Sequence, residues 1–453
     1  MNQEPDFFAH LRSELSNWRT WLDRAIVLAY AVAAGGFVVV FTLVSEWASA
    51  GFMALFHRHP WACLVVTPAI TATIVFVTRR WFANAAGSGI PQVKAALHND
   101  VPRHEQHRFV SLWLTLAKMG LAVAGFAAGL SIGREGPSVQ VAAGVMQHAR
   151  RWLSPDTSID GRGLLLAGGA AGIAGAFNAP LAGVVFAIEE LSGRIESRAS
   201  GLIITAIVLA GLVAVSVFGN ASYFGVIRVP TLTWTAVGPG LLVTLVCGVA
   251  GGLFSRLLIA SLTGAPGRFS AWRARFPVRF AAACGLAIAV IGLVTGGVTF
   301  GSGSEAVKEM LQGHVELTPL ATLLKLVATW LSAWCGVPGG IFAPSLSVGA
   351  GIGNAISQAF DATLAPALIA MGMAAFLAAV TRAPLTAFII VMEMVDGHSM
   401  VLSLMAAAML ASLVSRMITR PLYDTLAEHM VAVAGLPRQG DAASGGPAAT
   451  RQA

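Results

Sequence analysis

Two acidic positions interrupt sequence that is otherwise apolar. Glu135 lies in Gly133-Arg134-Glu135-Gly136-Pro137, directly after the uncharged stretch Met119–Gly133, and Glu189 and Glu190 close the apolar run Leu181–Ile188. A charged side chain at the centre of a bilayer costs at least about 2.5–3.5 kcal/mol unless it is partnered or wetted, and acids inside spans serve as proton carriers. Around Glu135 the setting adds a second chemistry. Glycine permits close backbone approach, and proline at the first helical position starts a helix cleanly. A helix start leaves N–H groups unpaired and carries roughly +0.5 of a charge, which favours an anion. A carboxylate there can occupy the anion's place and, once protonated, leave it. The structural alternative is a salt bridge between Arg134 and Glu135, although helix neighbours one residue apart do not face each other. For Glu189 and Glu190 two readings stand level: a proton relay, or the plain end of a helix helped by Arg194.

The same design occurs twice more, in Gly87-Ser88-Gly89-Ile90-Pro91 and in Gly339-Gly340-Ile341-Phe342-Ala343-Pro344. Each is a glycine-rich loop, then proline, then an apolar helix. Ser88 can donate a hydroxyl, and Ile341 and Phe342 can donate backbone amides. One such loop is explained by a kink or close helix packing. Three of them, two at matching repeat positions, point to an anion site.

The repeat is visible in three motif pairs that keep the same order and nearly constant separation. Gly87–Lys94 resembles Gly301–Lys308, Pro137-Ser138 with its following residues resembles Pro344-Ser345, and Asn178-Ala179-Pro180-Leu181 through Glu189 resembles Arg382-Ala383-Pro384-Leu385 through Glu393. Duplication explains this better than chance. The halves are read as about residues 24–225 and 226–430. Transporter halves of this type often have inverted topology, with the substrate site at their interface near mid-membrane.

The elements that must position these loops are membrane helices. Only 11% of the 453 residues are charged, against about 25% in soluble domains. The uncharged runs Ala25–Ser45, Pro60–Thr78, Ala199–Ile227, Val229–Ser255, Phe280–Ser304 and Leu326–Phe360 each reach the roughly 18 residues of a span. The fold class is therefore all-α and polytopic. A soluble core is excluded, and the runs lack the alternation of a transmembrane barrel. The net charge of +7 sits in short connections, at Arg103, Arg108, Arg150, Arg151, Arg194, Arg198, Arg268, Arg273, Arg275, Arg279, Arg416 and Arg420. That is a positive-inside pattern, not a nucleic-acid surface.

Other features read as structural. Cys63, Cys247, Cys284 and Cys335 are isolated in apolar segments and read as packed free thiols. His98, His104 and His107 read as solvated loop residues, and no histidine spacing suggests a metal. Lys325 and Arg382 read as interface snorkellers or partners of helix C-termini. No Ser/His/Asp or Cys/His arrangement and no phosphate-binding loop stands out, so the chain does not read as an enzyme and no cofactor is expected. Residues 1–23 read as a short amphipathic interfacial helix without signal-peptide character. Residues 431–453 read as a disordered tail, with no sizeable soluble domain after the last span.

With these motifs on the page, the chain resembles the CLC family of chloride channels and chloride/proton antiporters. GSGIP at 87–91, GREGP at 133–137, GGIFAP at 339–344 and the late Pro421-Leu422-Tyr423 carry the resemblance over about residues 24–430. It implies a CLC-type fold of two inverted repeats built from tilted and partial helices, and a homodimer with one anion pathway per subunit. It implies that Ser88 and Tyr423 bind chloride through their side chains and that Ile341 and Phe342 do so through their amides. Gly87, Gly89, Pro91, Gly133, Arg134, Gly136, Pro137 and Gly340 shape the helix starts. Glu135 matches the external gating glutamate, and Lys118 matches a buried basic residue. Glu190 matches the internal proton-transfer glutamate that exchangers keep and animal channels replace.

Ser88 is not the proline associated with nitrate preference, and the motifs differ from those of fluoride exporters. Leu191-Ser192-Gly193-Arg194 departs from the best-known bacterial exchanger's sequence and leaves the water path to Glu190 open. Cytoplasmic nucleotide-binding domains of many animal members have no counterpart here. The expected function is chloride/proton antiport across an inner membrane, with chloride, protons and the lipid bilayer as partners. The rivals are a passive chloride channel of the same fold, a sodium-coupled solute symporter, and a membrane-embedded enzyme.

Overall fold

Long apolar runs can satisfy their backbone inside a bilayer only as helices, and broken helices survive where protein or a wet cavity takes up the freed groups. The computed structural model follows that rule. It describes residues 18–155, 157, 159–192, 200–219, 224, 234–264, 266–314, 317–395 and 397–435. Among the described residues, eight helices are long and apolar enough to cross a membrane.

The first half contains α1 (Trp18–Arg58), α2 (Cys63–Trp81), α3 (Ile90–Leu97), α4 (Leu112–Ala127), α5 (Glu135–His148), α6 (Gly161–Phe177), α7 (Pro180–Phe186) and α8 (Ser200–Phe218). A π-helical turn, Ala187–Ser192, extends α7. The second half contains α9 (Val237–Leu262), α10 (Arg268–Arg275), α11 (Pro277–Val294), α12 (Ser304–Leu311), α13 (Pro319–Trp334), α14 (Phe342–Phe360), α15 (Ala365–Thr381), α16 (Pro384–Met394), α17 (Val401–Arg416) and α18 (Leu422–Val433). The uncharged run Leu326–Phe360 is thus not one span. It breaks after Trp334 and restarts at Phe342, because Gly336, Gly339 and Gly340 carry the chain between two helices.

The repeat extends to helix caps and backbone geometry. Ser111 and Thr318 cap α4 and α13 by accepting the Leu114 and Ala321 N–H groups. Asn178 and Arg382 end α6 and α15 in left-handed conformation, with φ of 54° and 65°. Each half also has one very tight helix pair. Gly168 and Gly172 of α6 press on the α5 backbone, and Gly372 of α15 presses on Gly349 and Gly353 of α14. Small residues are how membrane helices gain contact when lipid is as apolar as leucine.

The halves run in opposite senses. The end of α4 brings Phe126 to a cavity shared with Glu135, whereas the end of α13 brings Gly336 to a cavity shared with Arg79 and Arg273. Arg79 and Arg273, with Arg80 beside them, mark the latter as the inner face by the positive-inside rule. The two halves join at one isolated antiparallel bridge between Gly133 and Gly340, whose N–H groups each donate to the other's carbonyl at 2.7 Å.

Residues 1–17 and 436–453, most of the expected interfacial helix and tail, lie outside the described residues, as do 225–233 around the expected division between halves. Trp18–Asp23 form the first turns of α1, and α18 continues to Val433. The four cysteines are buried free thiols.

Candidate functional site

Four helix N-termini meet at the centre: those of α3, α5, α14 and α18. The helix starts place Ser88 just before α3, Glu135 at the first residue of α5, Ile341 and Phe342 at the start of α14, and Tyr423 in the first turn of α18. All but Ser88 are buried residues, and the Ser88 hydroxyl oxygen is itself buried. The approach is close enough to demand glycine. A side chain at Gly136 would collide with Ser88, and one at Gly89, where φ is 112°, would collide with the Gly136 carbonyl.

The polar atoms gathered there suit an anion. The Ser88 and Tyr423 hydroxyls are buried within reach of each other and meet no other protein partner. Two adjacent hydroxyls can use at most one proton on each other, which leaves a donor for a ligand. The Phe342 ring packs near the Tyr423 ring, with centroids 6.0 Å apart. Helix geometry leaves the first N–H groups of α14 without intrahelical acceptors. No full cation is needed to make this centre positive.

Glu135 turns its carboxylate into the same place. Oε2 accepts the Ala343 N–H at 3.4 Å and lies against Gly133 and Gly340 at the bridge between the halves. Its side chain thus takes an amide donor from α14 while belonging to α5. The sequence pointed to Ile341 and Phe342 as α14 donors; the amide that meets Glu135 is Ala343, one residue on. The salt-bridge alternative with Arg134 does not describe the molecule, because Arg134 Nη1 instead donates to Glu46 Oε1 on α1 at 2.5 Å. Glu46, Arg134 and Glu135 line an outer cavity of about 640 Å³ together with Gly301, Ser302 and Ser304.

Glu190 lies toward the opposite face, in the π-helical turn after α7. Such turns are rare and are frequent at functional sites. Its Oε1 accepts from Lys94 Nζ at 2.7 Å, and the same ammonium reaches Asp424 Oδ1 at 2.5 Å. Glu190 is buried, whereas Asp424 is half exposed. Lys94 and Asp424 line an inner cavity of about 590 Å³. Tyr423 is within electrostatic range of both Glu190 and Glu135, so the two acids bracket the anion centre. Gly193 and Arg194, which follow the internal acid, lie outside the described residues.

Nothing in the sequence marked Lys94 and Asp424 as parts of this arrangement. Lys94 is the last residue of a repeat motif, and Asp424 simply follows Tyr423. Helical spacing gives only that Ile90 and Lys94, four residues apart, lie on one side of α3. Glu189, level with Glu190 in sequence terms, points elsewhere and caps α16.

Lys325 needs correction. It is not an interface snorkeller: it is buried, and its Nζ donates to the carbonyls of Thr299, Phe300 and Gly301 at 3.0, 3.4 and 2.8 Å. Lys118 does the same in the first half, donating to Ala85 and Gly87 at 2.8 and 2.6 Å. Each lysine therefore gathers the carbonyls that lead into a Gly-Ser-Gly loop, including that of the loop's first glycine. Arg382 does partner the C-terminal end of a helix, donating to Thr419 O just beyond α17 at 3.2 Å.

The chain matches the family described as voltage gated chloride channel over residues 70–416. It is 30% identical to the H(+)/Cl(-) exchange transporter ClcA of Vibrio parahaemolyticus over 81% of this chain and 79% of that protein. It is similar to the structure of a slow cyanobacterial Cl-/H+ antiporter at 25% identity, covering 91% of this chain and 98% of the other with a TM-score of 0.71. A CLC-type fluoride/proton antiporter shares the fold at 21% identity, covering 93% and 99% with a TM-score of 0.74.

Proposed function

Because this chain belongs to the voltage gated chloride channel family, we propose that it exchanges chloride for protons across the membrane through the centre bracketed by Glu135 and Glu190. The observation that carries the reading is the pair of buried acids on either side of one amide- and hydroxyl-lined centre. A chloride pore needs the centre; it does not need Glu190.

In this proposal chloride is held by the Ser88 and Tyr423 hydroxyls and by the amides of Ile341 and Phe342. Glu135, as a carboxylate, competes for the same positive helix ends and closes the outer access. Protonation removes the charge that holds it there, so it gives way to the anion and carries a proton outward or inward as it moves. Glu190 exchanges protons with the inner side and passes them toward Glu135. Binding by partial charges fits transport, since the ion must be held firmly enough to enter and weakly enough to leave. We infer an inner-membrane homodimer with one pathway per subunit, a reading that the family resemblance supports.

Reversal potentials in reconstituted vesicles under crossed chloride and proton gradients test the coupling. Antiport gives a potential set by both gradients, and chloride flux alone drives proton uptake. A potential that follows chloride only, with no proton movement, makes the protein a passive channel of the same fold.

A further inference from the structure

A third cavity, of about 320 Å³, opens at the inner face behind the anion centre. Thr78 and Arg79 from the end of α2, Ala83 and Ala86 from the following turn, Arg273 from α10 and Gly336 beyond α13 line it. No acidic side chain is among its lining residues. Arg273 reaches in from α10, where its Nη1 donates to Ser261 O at 3.1 Å, and its Nη2 lies toward Gly336. Burial, and then the nearby charge of Arg79, make the Arg273 guanidinium easier to deprotonate than usual. Two guanidiniums turned into one cleft repel each other, and an anion between them removes that cost.

The walls say which kind of anion. α10 is exposed except where Ser270 and Arg273 are partly covered, and it sits between two spans. It carries Arg268, Arg273 and Arg275 with Phe269 and Trp272, the composition of a helix lying in the membrane interface. Trp272 packs edge-on to Phe280 at 5.3 Å and Phe269 to Trp334 at 6.3 Å, which fixes the helix to the protein. Trp81 is 60% exposed and Phe276 38% exposed, so the cleft has apolar surface beside it. Arginine recognises phosphate through paired N–H donors, and basic pockets between spans on the inner side suit anionic headgroups. We propose that the cleft between Arg79 and Arg273 binds the phosphate of an anionic phospholipid at the inner leaflet.

The back wall gives the site a consequence. The segment Ala83–Ala86 leads directly into Gly87-Ser88-Gly89, and Gly336 leads into Gly339-Gly340. Gly339 N–H donates to the Gly87 carbonyl at 3.1 Å. A headgroup that draws Arg79 and Arg273 together braces the two loops that carry anion donors. Anion exchange then runs faster in anionic bilayers; this consequence rests on the function proposed above, whereas the binding site does not.

Binding is read by native mass spectrometry of the detergent-purified full chain, titrated with phosphatidylglycerol, with phosphatidylcholine as the zwitterionic comparison and inorganic phosphate as the free ion. Wild type retains phosphatidylglycerol, and Arg79→Gln and Arg273→Gln each weaken retention about fivefold. Arg80→Gln, at an exposed neighbour outside the cleft, leaves it unchanged. Arg79→Lys with Arg273→Lys keeps the charge and retains lipid, which covers the case in which a single glutamine variant does not fold. Equal retention by wild type and the single glutamine variants overturns the site. Retention of inorganic phosphate with no preference for phosphatidylglycerol over phosphatidylcholine overturns the lipid assignment in favour of the free ion. Flux in vesicles with and without phosphatidylglycerol reads the consequence separately, so a protein that binds lipid but shows no coupled exchange keeps the site and loses only the function.

Discussion

Glu189 and Glu393 cap each other's helices across the two halves. Glu189 accepts the Leu385 and Thr386 N–H groups of α16 at 2.9 and 2.6 Å, and Glu393 accepts the Leu181 and Ala182 N–H groups of α7 at 3.2 and 2.7 Å. Each carboxylate sits at the positive end of a short helix that begins with proline, where the first amides have no acceptor of their own. The arrangement accounts for the acid beside Glu190 without giving it a proton.

Glu189→Ala and Glu393→Ala are accordingly expected to act alike. Each removes one cap, costing roughly 0.5–2 kcal/mol, and thermal unfolding followed by size-exclusion fluorescence should fall for both. Chloride-driven proton uptake per chloride should persist in whatever fraction folds. If Glu189→Ala uncouples transport while Glu393→Ala does not, the proton role belongs to Glu189 and the assignment to Glu190 is wrong.

The same pair shows what was legible beforehand. Apolar runs and glycine-proline loops announce themselves locally, so the spans, the helix starts and the repeat were readable. The Ala179-Pro180 and Ala383-Pro384 starts were found as matching motifs for that reason. What each acid bonds was not readable, because Glu189 meets Leu385 and Glu393 meets Leu181 through the crossing of halves rather than through any sequence period. Lys94 is another such case: from α3 it reaches Glu190 after α7 and Asp424 on α18. Lys325 looked like a snorkeller because one lysine in an apolar run does not reveal the carbonyls folded over it.

The two buried lysines should separate stability from anion binding. Lys118→Met leaves the Ala85 carbonyl without its lysine donor and the Gly87 carbonyl with only the Gly339 N–H, and Lys325→Met strips the Thr299, Phe300 and Gly301 carbonyls of theirs, at about 1–3 kcal/mol per orphaned group, partly offset because a buried charge is also removed. Both variants are expected to melt lower. Lys118 holds the Gly87 carbonyl next to Ser88, so Lys118→Met should also weaken chloride binding measured by isothermal titration calorimetry. Lys325 holds a loop on the outer cavity, and its variant should keep near-native affinity. Equal loss of chloride affinity in both would mean that the loops do not differ in role.

Glu135 is held at Ala343 N–H as an acceptor, and its exchange for glutamine preserves shape while removing charge. In Glu135→Gln the side chain loses its attraction for the helix ends of α5 and α14. Chloride flux in vesicles should continue, and chloride-driven proton uptake should fall to the level of protein-free vesicles. Normal proton pumping by this variant would falsify the gating and carrier role.

Lys94 supplies the sharpest test of the inner end. Its ammonium bridges the buried carboxylate of Glu190 to the half-exposed carboxylate of Asp424, which faces the inner cavity. Protons arriving from that cavity meet Asp424 and Lys94 before Glu190. Lys94→Gln removes the cation that fixes Glu190, and Asp424→Asn removes only the outer anchor. Proton flux should therefore slow in both variants, more in Lys94→Gln, while chloride flux is retained, so that the chloride-to-proton ratio from reversal potentials rises in the same order. Glu190→Gln should abolish proton flux, and adding Lys94→Gln to it should change the ratio no further, since the two act on one step. A further change in the double variant would place Lys94 on the anion path instead, as an inner attractor for chloride.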